Sequence, residues 1–218
     1  MRNGLLCRAV LAMAAGSGVL ATAASADPLD DLNALRAANG LPADIVENPV
    51  WSEGCGLHMH YLALNGFAGD WHTESPSKPG YTAAGASAAG SSVLSNAPSF
   101  GLKTNWEDAP FHFAQLLAPK LSVTGFADGC MYTWPGYLRP EPADLRLYTY
   151  PGDGAQDTSS PYLYVFGFGA GTTGGTLTEA TLTGPSGAVG VRIVDNHTPG
   201  VAGLLPPGGI VIPDTPLE

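Results

Sequence analysis

WEDAPFHFAQLLAPK, running from Trp106 to Lys120, is the stretch from which the rest of the chain can be read. Pro110 biases Ala109 away from helical geometry and suits a first helical turn, and Pro119 blocks continuation. The pattern predicts a helix from Pro110 to about Leu117, with Phe113, Leu116 and Leu117 as its core face. His112 falls in the first turn, shortly after Glu107 and Asp108. There the positive end of the helix dipole disfavours an imidazolium, while the two carboxylates favour one. Only the neutral ring can ligate a divalent metal.

Two further helices are expected upstream. DPLDDLNALRAANG (27–40) has Asp27 to cap it, Pro28 inside the first turn and Gly40 to stop it. NPVWSEGCGLHMHYLALNG (48–66) repeats this punctuation with Asn48, Pro49 and Gly66. In it Trp51, Cys55, His58 and Leu62 share one stripe, so His58 reads as a hydrogen-bonded core imidazole and His60 as an exposed one. Residues 67–105 are rich in turn formers, and a long irregular segment anchored by Trp71, Tyr81, Val93 and Leu94 reads as ordered and functional. Within it a short helix is expected through Ala83 to Leu94. LSVTGFADGCMYTW (121–134) then alternates as a buried strand or two.

Composition changes near residue 136, where Gly, Pro, Thr and short β-type runs take over. LRLYTY, YLYVFGFG, TLTEATLTG and VGVRIVD, separated by PGDG, GTTGG and GPSG, predict an antiparallel sandwich-like module. The tail either pairs through Ile210 to Ile212 or leaves a sheet edge open.

Residues 1–26 read as a cleaved leader, with Arg2 and Arg8 at its start, an apolar stretch, and Ala24-Ser25-Ala26 before Asp27. The expected product is secreted, periplasmic or extracellular, with no stable membrane insertion. Cleavage removes two arginines and no acids, so the net charge becomes more negative than −10, which opposes binding to nucleic acid. Cys7 leaves with the leader, and in an exported protein the remaining Cys55 and Cys130 are expected to pair; the alternative is two buried free thiols.

Laid in order, these pieces resemble the CAP superfamily of cysteine-rich secretory, antigen-5 and pathogenesis-related proteins, in its bacterial exported form. LNALRAANGLP is similar to the family's first helix and its exit, and residues 48–66 are similar to the second helix. His72-Thr73-Glu74 stands where the family carries its first site histidine. Trp106-x-x-Ala109-Pro110-x-His112 resembles the W-x-x-S-P-x-H segment that carries the second. The resemblance covers roughly residues 29 to 136. It implies an α+β fold, a CAP-type α/β/α sandwich over 27–136, followed by a β-rich module over 137–218. Two departures stand out: Ser91, in AAGSSV, occupies the place of a family glutamate, and Ala109 replaces a capping serine that Asp108 could stand in for.

By this resemblance His72 and His112, with Glu74 as a further donor, form a site for zinc or another divalent metal. A ligand cavity would add Tyr81 and Phe111 as walls for a small apolar or lipid-like molecule such as a sterol. The expected function is binding. A metal-dependent hydrolase with Glu74 as base, and a structural or adhesive surface protein with a vestigial cavity, are the alternatives. A serine hydrolase is disfavoured because GASAAGSS lacks the second glycine of a nucleophile elbow. A glycosidase built on Glu53, Glu74, Glu107 and Asp108 would need a carboxylate separation that spacing alone cannot supply. Asn196-His197-Thr198 has the form of a glycosylation sequon.

Overall fold

Each of the first two helices begins where a small polar residue precedes a proline. At α1 (Pro28–Ala38) the Asp27 carboxylate accepts from the Leu29 amide at 2.9 Å, and at α2 (Pro49–Asn65) the Asn48 side chain accepts from Val50 at 3.0 Å. These contacts satisfy amides that no earlier turn can reach. The computed structural model describes residues 27–96, 106–140, 147–155, 161–167, 176–201 and 203–215. The leader expected at 1–26 lies outside them. The architecture is mixed α+β.

The segment after α2 forms α3 (Ala83–Ser91), shorter than expected, because Ser92–Leu94 leaves it as strand β2. The strand wins because its partner lies far along the chain. Ser92, Val93 and Leu94 pair with Tyr132, Met131 and Cys130 of β5 (Cys130–Tyr132), and β4 (Phe126–Ala127) covers the other edge of β5. The β4–β5 turn uses Asp128 and Gly129 at φ 48° and 95°, a conformation in which glycine carries no Cβ penalty. β1 (Val46–Glu47) and β3 (Val123–Thr124) form a separate parallel pair.

Alternation along these short strands sends side chains to two cores. Val93 and Met131 pack with Leu32 of α1, Trp106, Leu121 and Leu116, the last from α4 (Pro110–Leu117). Leu94, Cys130 and Tyr132 pack with Cys55, Met59 and Leu62 of α2 and Ala88 of α3. Helices therefore cover both faces of the small sheet. Cys55 and Cys130 form a disulfide across the second core, tying α2 to β5. Closing a loop of 75 residues stabilises the fold by about 4 kcal/mol on the chain-entropy account.

One charged side chain is wholly internal. Arg36 of α1 is fully buried and donates to Pro42 O at 2.6 Å, Leu116 O at 2.6 Å and Ala118 O at 3.1 Å. Burial, then the neighbouring Arg139, lowers its pKa to about 9. The guanidinium meets carbonyls at the carboxyl end of α4, where the helix dipole favours a cation. On the surface, Arg139 pairs with Asp44.

The second half forms β6 (Leu147–Tyr150), β7 (Leu163–Gly167), β8 (Leu182–Gly184), β9 (Gly187–Val189), β10 (Val191–Asp195) and β11 (Gly208–Pro213). β8 and β9 make a hairpin, and the others form one antiparallel sheet in the order β10-β11-β7-β6. The tail does pair through Ile210 to Ile212, in the interior of the sheet. The buried face of this sheet is covered by a helix and not by a second sheet. Its inner face, Tyr150, Tyr164, Phe166 and Ile210, packs on Leu41 and on Phe113, Ala114 and Leu117 of α4. An apolar helix takes the place of the opposing sheet. With Leu116 turned to the small sheet and Phe113 to the large one, α4 is buried between two cores. Among the described residues no helix is long and apolar enough to cross a membrane.

Candidate functional site

α4 begins at Ala109 with no side-chain cap, and Asp108 does not supply one. This leaves His112 half-buried in an uncapped first turn. Burial first, and the neighbouring His72 second, lower its pKa from 6.5 to about 4. Burial, more than the helix dipole or the carboxylates weighed from sequence, thus sets the neutral form: at pH 7 His112 offers one N–H and one lone pair.

His72 reaches the same spot from the α2–α3 connection. The two rings, forty positions apart in sequence, meet edge to face with 5.7 Å between centroids. His72 itself is exposed. Its amide donates to Asp70 Oδ1 at 2.8 Å, and its Nδ1 lies 3.0 Å from Ala89 O on the last turns of α3. A carbonyl can only accept, so Nδ1 carries the hydrogen, and in the neutral ring the lone pair is on Nε2. Phe111, next to His112, is half-buried and packs toward the core shared with the large sheet.

Glu74 and Tyr81, expected beside this pair, lie elsewhere. Glu74 Oε1 is 2.9 Å from His58 Nδ1, both side chains being fully buried, and Glu74 Oε2 accepts from the Thr82 amide at 3.3 Å. A Cβ on Gly85 would come within 2.5 Å of Glu74 Oε1, so the carboxylate lies against the first turn of α3 only because that residue is glycine. Tyr81 is exposed, immediately before the same end of α3, with its amide on Lys78 O. Ala89, where His72 is held, is about 9 Å further along the helix at 1.5 Å per residue. The expected site residues therefore divide between the two ends of α3: Glu74 and Tyr81 at the amino end, His72 and His112 toward the carboxyl end.

His58 is the core imidazole its stripe predicts, yet its partners were not legible. Its Nε2 lies 2.8 Å from Trp71 O, which can only accept, so Nε2 donates there. On its other side one hydrogen lies between Nδ1 and the Glu74 carboxyl group. The ring stacks on Tyr61, whose hydroxyl accepts from the Ser75 amide at 2.9 Å.

These placements do not fit a resident metal ion. Among the described residues, no three of His, Cys, Asp and Glu gather closely enough to hold one. Two imidazoles fall short of the three or four protein ligands that zinc sites use. The carboxylate that would have been the third belongs to His58. Ser91, at the place of the family glutamate, ends α3 with its carbonyl accepting from the Thr133 amide at 3.0 Å. Comparison with family models, with curated proteins and with solved structures finds no match for this chain.

Proposed function

We propose that the chain is an exported CAP-type binding protein in which the His72–His112 pair anchors the polar end of a small apolar or lipid-like molecule. The observation that carries this reading is the edge-to-face meeting of two imidazoles from distant segments, one exposed and one half-buried. Helices on both faces of a small antiparallel sheet, together with the Cys55–Cys130 bridge, support the family resemblance on which the CAP-type fold rests.

The chemistry of the pair narrows the ligand. His112 is neutral at pH 7, and the chain carries a net charge of −10, so an anionic headgroup finds little attraction. A hydroxyl suits the pair better, donating to the Nε2 lone pair of His72 and accepting from an imidazole N–H. Phe111 supplies an apolar neighbour for the remainder of the molecule. A hydrolase that uses Glu74 as base has less support, because that carboxylate is bonded to His58 and to the start of α3.

Organic extraction of protein purified without detergent, followed by mass spectrometry, tests this. An uncharged amphiphile should be recovered from the wild type, be insensitive to chelator, and be lost from the His72→Ala/His112→Ala double variant. Stoichiometric metal with no extractable amphiphile would replace this reading with the hydrolase. Recovery of neither would favour the adhesive alternative.

A further inference from the structure

We propose that His58 is a positioning residue for His72, acting with Glu74 to fix the imidazole pair without touching whatever the pair binds. The proposal rests on the reading of His72 and His112 as a site.

The geometry is that of a clamp. Trp71 and Glu74 flank the dipeptide His72-Thr73, and a single buried ring engages both: Nε2 at 2.8 Å from Trp71 O and Nδ1 at 2.9 Å from Glu74 Oε1. The segment that presents the exposed imidazole is thereby held at both its ends from inside α2. The second oxygen of Glu74 extends the hold to the Thr82 amide, at the start of α3. α3 in turn offers Ala89 O to His72 Nδ1. His58, Glu74, α3 and His72 thus close a ring of contacts in which the His58 and Glu74 side chains are fully buried and His72 is exposed.

Core packing alone does not require this arrangement. α2 and α3 meet through small residues, with a Cβ on Gly54 reaching Ala88 Cβ at 3.7 Å, and α2 is already bridged to β5 by the disulfide. An apolar side chain of similar volume would fill the position of His58 without the desolvation cost of a buried polar pair. What it would not do is hold the carbonyl of residue 71 and the carboxylate of residue 74 at once.

The test reads the ring contact itself, in the full chain labelled at histidine, by nuclear Overhauser effects between the His72 and His112 rings. Glu74→Ala and His58→Gln should lose that contact while the Phe113–Tyr150 contact in the other core persists. Glu74→Gln keeps an acceptor opposite Nδ1 and should retain it. Persistence of the His72–His112 contact in folded Glu74→Ala overturns the proposal, as does its equal loss in Glu74→Gln. If His58→Gln does not fold, the two Glu74 variants decide the matter between them. The measurement needs no ligand. A wild type that shows the contact yet yields no amphiphile therefore overturns the proposed function and not the positioning role.

Discussion

The amino ends of α3 and α4 face the same electrostatic problem and resolve it in opposite ways. At α3, Thr82 Oγ1 accepts from the Gly85 amide at 2.8 Å, and Glu74, itself bonded to His58, accepts from the Thr82 amide. At α4, Ala109 contributes no cap, and the first turn carries His112 instead. Each helix start has an imidazole associated with it. One is wholly internal with both nitrogens engaged; the other is half-buried, neutral at pH 7 and next to an exposed partner. The difference separates two uses of histidine: a ring closed on all sides fixes the chain, and a ring left partly open can take part in chemistry.

The comparison breaks most sharply at Glu74. Glu74→Ala leaves His58 buried with one partner gone and should lower stability by about 3 kcal/mol, read from urea unfolding midpoints. A loss of only a few tenths would mean that the two helix starts are not energetically distinct. Next is Gly85→Ala, whose Cβ would lie 2.5 Å from Glu74 Oε1 and 2.9 Å from Thr82 Oγ1. Crowding there should cost about 2 kcal/mol, even though alanine is the better helix former. A net gain would show that the carboxylate moves aside freely.

Acid probes the α4 side. His112 binds a proton less readily in the folded chain, its pKa falling from 6.5 to about 4, so the unfolded state takes up the extra proton between those values. Its contribution is complete above about pH 6.5, declines as pH falls, and is gone below about 4. With solvent screening at a half-buried ring, the loss should be about 1.5 kcal/mol. His112→Gln should flatten that part of the stability–pH curve, and a variant as acid-sensitive as wild type would contradict the assignment. The smallest effect sharpens the contrast by removing it: Ala109→Ser supplies the absent cap and should stabilise the protein by about 1 kcal/mol in thermal unfolding.

How much of this could be read from residues alone depended on how far away each partner lies. The starts of α1 and α2 and the whole of α4 follow from Asp27-Pro28, Asn48-Pro49 and the prolines at 110 and 119, because caps and breakers act within a few positions. The end of α3 was misplaced because Ser92–Leu94 is claimed by residues nearly forty positions later, against the local helical tendency of an alanine-rich run. At the site, the convergence of His72 and His112 was expected from the family resemblance and not from spacing. The placement of Glu74 was missed because a loop carboxylate carries no periodicity to show which imidazole it meets. Gly85 was the available hint: a glycine in the first turn of a helix, where alanine would serve better, marks a close approach.

The order β10-β11-β7-β6 has a consequence for how the chain comes together in time. β7 and β10 never touch as neighbours; the strand between them is the last of the described strands to leave a ribosome. Until residues 208–213 arrive, β7 keeps one unmatched row of amides and carbonyls and β10 two, and the floor beneath Phe113 and Leu117 lacks Ile210. Translation thus hands over the keystone after its neighbours, and a nascent chain halted before Gly208 would leave β7 and β10 with sticky edges open to any passing strand.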